Sequence, residues 1–320
     1  MLKTFISILS LALLLITTAQ AKQLSFTKKA QQDNYIFSYQ WLDHNKLRQS
    51  ISFNLTKPAL FERFRMLKPY QGDFAQKSIL RAIKKRLRQQ PLPDVNVIIQ
   101  PQQGKTVIQV TGIDDKKVAA GYQKIKEIEL EVTEQYFKKN YYQRFTTHDQ
   151  QMGIKVNHVD IAEKSISDFK VLKPIVLEKV SIENIRKVTN FVLSFVQSIP
   201  YSTLESRITS SGAGFNPPAK LLWENQGDCD SKMTLTATIL RALMPRIAMA
   251  MIYIDQHAFI GIAIPAKGNE VSIKYNNVNY LLAEPTGPAL YPLGTLAPES
   301  ELAINQDRYV VEEFHSDGSY

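Results

Sequence analysis

The sequence predicts an α+β fold in two parts. An N-terminal domain of hairpins and helices precedes a C-terminal domain in which an apolar helix packs on an antiparallel sheet. Three observations carry this. Short runs with period-two alternation are separated by turn residues, as in hairpins. Longer runs with apolar residues at helical spacing lie between them. The charge also divides: residues 22–170 carry a net +11 and residues 171–320 a net −3. With 44% hydrophobic residues, a mature chain of this length can bury two cores.

The first residues read as an export signal. Met1-Leu2-Lys3 is a positive start, Phe5 to Ile16 is apolar, and Ala19-Gln20-Ala21 is a small-residue cleavage site. The apolar run is too short for a comfortable membrane span. The expectation is a signal peptide over residues 1–21, a periplasmic or secreted protein, and no stable membrane span after cleavage.

From Lys22 to residue 150 the elements alternate in type. Asn34–Leu42 and Leu47–Leu55 alternate around Asp43-His44-Asn45-Lys46 and predict a hairpin. Pro58 opens a short helix to Met66. Asp73–Gln90 predicts a second helix, with Phe74, Ile79, Ile83 and Leu87 as its apolar stripe. Its other face is basic, with Lys77, Arg81, Lys84, Lys85, Arg86 and Arg88. That face is either simply solvated or a docking surface for an acidic envelope partner; nucleic acid is not expected, since no recognition motif is present. Pro91 and Pro93 end the helix. Val95–Gln100 and Lys105–Thr111 predict a second hairpin around Gln102-Gln103-Gly104, and Asp114 to about Tyr142 a long helix. His44, His148 and His158 fall in polar stretches and are expected at the surface.

Residues 143–180 look polar and irregular, and a linker is expected over 151–180. A C-terminal domain over 181–320 follows. Ser181 caps a helix to about Ser198, with Ile185, Val188, Val192, Phe195 and Val196 on its buried face. A loop rich in Ser, Gly and Pro leads to Leu221-Leu222-Trp223.

The chemistry gathers after that loop. Cys229 is the only cysteine of the chain, so an exported protein of this kind has no internal disulfide to make. Asp228 precedes it as a helix cap, and Met233, Ala237, Leu240 and Met244 continue a helical face up to Pro245. The helix dipole favours thiolate at Cys229. Asp228 and Asp230 oppose it. A histidine is therefore needed to take the proton. His257, opening the strand Ala258–Ile264, is the candidate. Glu284 closes the apolar strand from Val278 behind the Asn276-Asn277 turn, and a carboxylate there calls for a partner. Cys229, His257 and Glu284 are the expected nucleophile, base and orienting acid.

These residues resemble the transglutaminase-like superfamily, the branch of papain-like cysteine enzymes with the order Cys, His, Asp. The resemblance rests on Gly227-Asp228-Cys229 opening a helix, His257-Ala258-Phe259 opening a strand, and Glu284-Pro285-Thr286 ending a later one. Phe195 to Tyr201 and Pro218 to Trp223 look like the lead-in of bacterial members. It covers about residues 180–295. Two departures stand out: the third member is Glu284 rather than Asp, and an extra hairpin around Lys267 to Tyr280 lengthens the spacing.

What the resemblance implies is acyl transfer on a protein or peptide substrate. No cofactor is expected, and no metal, since the isolated histidines show no Cys/His/Asp ligand spacing. The acceptor is water in a protease or amidase, or an amine in a transglutaminase. The oxyanion would meet the Cys229 backbone N–H and a second donor, with Trp223 or Gln226 as candidates. Trp223 equally suits the core or a wall of the substrate cleft. Hydrolysis is the leading expectation, transglutaminase cross-linking an alternative, and a non-catalytic envelope-binding or assembly module on the same fold another.

Overall fold

A computed structural model describes residues 21–102, 105–181, 183–206 and 214–315. Residues 1–20 of the expected signal peptide, Gln103-Gly104 and part of the loop before Pro218 lie outside the described residues. The fold is α+β, with four antiparallel sheets among the described residues.

The chain opens with a meander of β1 (Lys22–Gln31), β2 (Asn34–Leu42) and β3 (Arg48–Thr56). The hairpin of β2 and β3 was legible in the alternation; β1 was not, because its face is mostly exposed. The inner face of β2 carries Phe37, Tyr39 and Trp41, all buried. A short α1 (Lys57–Phe61) follows, capped by the Thr56 hydroxyl.

Next comes a compact unit of its own: α2 (Gly72–Gln89), β4 (Val95–Gln102), β5 (Lys105–Gly112) and α3 (Asp115–Lys139). Leu80, Ile83, Ile99, Ile125, Ile128 and Val132 make its separate core. Here one expectation fails. Phe74 is 67% exposed rather than part of the apolar stripe. Five residues separate it from Ile79, which at 3.6 residues per turn turns the two side chains well apart. The buried face of α2 holds Ala75, Leu80 and Ile83 instead.

Residues 143–180 are not an irregular connection. They carry β6 (Tyr142–Thr146), β7 (Met152–Val156), α4 (His158–Phe169) and α5 (Leu172–Leu177). Ile161, Ala162, Phe169, Leu172 and Val176 are buried, and so is His158, at 2% exposure. His158 was expected at the surface; as the first residue of α4, it stacks instead between Phe215 and Tyr253. The polar residues that suggested a linker lie largely on the outer faces of α4 and α5, whose inner faces pack on the helix Cys229–Leu243.

The remaining elements are α6 (Ile185–Ser198), α7 (Pro218–Glu224), α8 (Cys229–Leu243), β8 (Met249–Ile254), β9 (His257–Ile262), β10 (Ser272–Tyr275), β11 (Val278–Ala283), α9 (Pro298–Asn305) and β12 (Val310–Phe314). Five strands form one sheet in the order β10-β11-β9-β8-β12, all neighbours antiparallel. Every residue of α8 from Ser231 to Leu243 is buried, so it is the central helix, with the sheet on one side and α4 and α6 against it.

The first meander belongs to this same core. Trp41 meets Phe191 and Phe195 edge-on or tilted and donates to Ser194 Oγ at 3.0 Å; Tyr39 donates to the Leu222 carbonyl at 3.2 Å. Packing therefore sets the β4–β5 unit apart, not everything before residue 150.

Candidate active site

The Cys229 turn is built by close contact. A Cβ at Gly227 would stand 2.7 Å from Leu221 Cδ1, so only glycine lets the chain pass α7 there without a shift. The Gly227 N–H donates to the Pro200 carbonyl at 3.2 Å, and the Ser202 N–H to the Gly227 carbonyl at 3.1 Å. Asp228 then caps α8, its Oδ1 accepting from the Ser231 N–H at 3.0 Å. Cys229 becomes the first residue of the helix, as the sequence predicts.

The histidine arrives on the sheet. β8 and β9 join through Asp255-Gln256, and Gln256 takes a left-handed conformation at φ 58° to make the tight turn. That turn lies over the thiol: Cys229 Sγ is 4.0 Å from the Gln256 carbonyl oxygen and 3.7 Å from Asp230 Oδ1. Cys229 and His257 line one cavity of about 400 Å3.

Glu284 follows β11 directly. Ala283 pairs with Ile260 across the sheet, so the next residue faces Phe259, and His257 is the diagonal neighbour on the same face. The glutamate side chain is long enough to cross that diagonal. Its Oε1 stands 2.9 Å from His257 Nε2, and its Oε2 accepts from the Ala297 N–H at 2.9 Å. Its own carbonyl accepts from Gln197 Nε2 at 2.8 Å. Gln197 also meets His44, 3.0 Å from its Oε1. The carboxylate is buried, with both oxygens engaged. Because Nε2 is taken, Nδ1 is the ring nitrogen left for the thiol.

Electrostatics at the thiol oppose ionisation. Burial pushes the Cys229 thiol well up, and Asp230 and then Asp228 push it further; the N–H groups of Ala258 and Asp230 act weakly against them. Asp228 is itself pushed up to about 7 by burial and by Asp230. Asp230 is raised by burial and held back by Lys155.

From the expected linker, Lys155 lines the cavity beside Phe145, Thr147 and His148 just before it, and His158 backs Asp230 from behind. His158 Nδ1 is 3.0 Å from the Tyr253 hydroxyl, and its Nε2 is 3.7 Å from Asp230 Oδ2. Burial, then Lys155, lowers the His158 pKa well below the ordinary value, so this is a neutral polar contact and not an ion pair. Lys155 donates to Glu312 at 2.8 Å and lies over the Tyr253 ring. His148 lines the cavity from the same side.

Comparison with protein-family models, with curated proteins and with solved structures finds no match to this chain.

Two residues expected at the cleft lie elsewhere. Trp223 packs edge-on against Tyr35 and Phe61, with Lys28 over its ring and donating to its carbonyl. It lines a separate groove, where it joins α7 to the first meander. The Gln226 backbone is held by the Leu221 carbonyl and by Asn216, and Gln226 is not among the residues lining the Cys229 cavity. Tyr201, named from the sequence only as the end of the Phe195 to Tyr201 lead-in, does line it. Its phenol is raised by burial and then by Cys229, Asp228 and Asp230, so it keeps its proton beside the thiol. Among the described residues no group of three His, Cys, Asp or Glu side chains is placed to hold a metal.

Proposed function

We propose that this chain is an exported cysteine hydrolase of transglutaminase-like type, acting on a protein or peptide substrate. What supports the reading best is the 2.9 Å contact of His257 Nε2 with a buried Glu284, on the wall of the cavity that holds the chain's one thiol. A buried carboxylate with two engaged oxygens fixes the ring and stabilises the imidazolium that forms when the ring takes a proton.

His257 Nδ1 takes the thiol proton as Sγ forms a bond to the substrate carbonyl carbon. The tetrahedral oxyanion meets the backbone N–H at the start of α8 and the Tyr201 hydroxyl. His257 returns the proton to the leaving amine as the C–N bond breaks. Water gives a proton to His257 as its oxygen bonds to the thioester carbon; the C–S bond then breaks, and His257 returns the proton to Sγ. Because burial and two aspartates hold the resting thiol protonated, the base must act during attack and not before it. Cross-linking follows the same first half, with an amine in place of water.

The same raised thiol favours a second reading, a non-catalytic module that keeps the fold. Replacing Tyr201 with Phe tests which holds. The enzyme reading expects the acylation rate of Cys229 by a small activated ester to fall about 100- to 1000-fold. Acylation of Cys229 in the native chain at only the rate of a free thiol would favour the module.

A further inference from the structure

Helix α2 carries a feature that the acyl-transfer site does not use. Lys77, Arg81, Lys84 and Arg88 recur at intervals of four, three and four residues, which aligns them on one face over about 16 Å. Lys85 stands at the edge of that face, and all five are exposed. Among the described residues none of the five has an ion-pair partner, whereas Arg86, turned toward α3, pairs with Glu131 at 2.6 Å.

The stripe is not purely polar. Phe74 shares its side of the helix and is 67% exposed. At the other end, Lys84 and Arg88 rim a groove of about 490 Å3, whose remaining walls are Leu87, Leu92, Val95, Val97 and Ile99 with Pro91. A soluble polyanion needs the cations alone. An exposed aromatic among the cations and an aliphatic groove beneath two of them suit a partner that is anionic at its surface and apolar just below it.

We infer that the outer face of α2 docks the protein on an anionic phospholipid bilayer. The stripe meets the headgroups, Phe74 inserts at the headgroup–acyl boundary, and the groove takes part of an acyl chain. This adsorption is peripheral: no helix among the described residues is long and apolar enough to cross a membrane. It stands independently of the chemistry at Cys229.

The test is sedimentation of the chain from Lys22 onward, which holds every described element, with two kinds of vesicle. One is pure phosphatidylcholine; the other contains one quarter phosphatidylglycerol. The expected result is binding to the second only, weakening as salt rises. Each cation near an anionic surface contributes about fivefold in affinity, so K77Q/R81Q/K84Q/R88Q together lowers the partition coefficient about 600-fold. Phe74→Ser lowers it several-fold. An unchanged melting temperature and unchanged Cys229 labelling show that the variants are folded. No binding to anionic vesicles overturns the inference, as does equal binding by the fourfold variant. Full displacement by heparin with no effect of Phe74→Ser overturns it in favour of a soluble polyanion.

Discussion

Replacing Glu284 with Asp puts the orienting contact to its sharpest test. The substitution keeps the charge and removes one methylene, drawing the carboxylate back by about 1.5 Å. The 2.9 Å contact with His257 then opens to about 4.4 Å, beyond hydrogen-bond reach. The Ala297 N–H loses its acceptor in the same movement. A hydrogen bond to a charged group contributes about 1.5–3 kcal/mol, so losing it from the reacting state slows proton transfer about 10- to 150-fold. The assay is the pseudo-first-order rate of Cys229 alkylation by iodoacetamide near neutral pH. Glu284→Gln keeps the length and loses the charge, and a neutral bond is roughly half as strong. The expected order is therefore native, then Glu284→Gln, then Glu284→Asp. A folded Glu284→Asp protein alkylated at the native rate refutes the claim that the carboxylate holds the base in place.

Four further outcomes follow from the same geometry. Asp230→Asn removes the larger of the two carboxylate effects on the thiol, so alkylation at pH 7 should speed up, by about tenfold for each unit of thiol pKa recovered; a slower rate contradicts the electrostatic account. Asp228 is raised to about 7 in the fold, so the folded state binds the extra proton and stability falls as pH rises from about 4 to 7. Asp228→Asn keeps the cap and should remove this slope, of at most about 1.4 kcal/mol per pH unit, in urea titrations. Lys232, fully buried with its Nζ donating to the Ile199 carbonyl, is lowered to about 7 by burial, so here the unfolded state binds the extra proton and stability rises between about pH 7 and 10; Lys232→Met should flatten that rise in the same titrations. Gly287→Ala places a Cβ 2.2 Å from the Gln197 carbonyl oxygen, and should cost about 1–3 kcal/mol or more by denaturant unfolding while also loosening the Gln197 hold on Glu284.

What could be seen in the sequence depended on how much of an element's surface is repeated in its pattern. The hairpin of β2 and β3 was legible because a full inner face alternates against a solvated one. α8 was legible because its cap, apolar face and closing Pro245 agree. β1, β12 and α5 were not, since each is short or mostly exposed and takes its conformation from the core it covers. α4 was missed although Ile161, Ser165 and Phe169 recur every four residues on its buried face, because the charged residues between them hid the repeat. The site divided in the same way. Cys229, His257 and Glu284 each begin or follow a regular element, so their chemistry could be placed by element ends. Tyr201 and His158 enter the site through loop passage and tertiary packing, and no local pattern marks them. Trp223 was misplaced because a large aromatic beside a nucleophile suits a cleft wall as well as a joint between layers. The structure puts it against Tyr35 and Phe61.

The central claim is that Cys229 performs acyl transfer with His257 as its base. Intact-mass spectrometry of the chain after mixing with p-nitrophenyl acetate tests it directly. The account expects one acetyl group on Cys229, formed in a burst, lost on turnover, and absent from His257→Ala. An adduct that forms equally fast in His257→Ala, or no faster than on the unfolded chain, contradicts it.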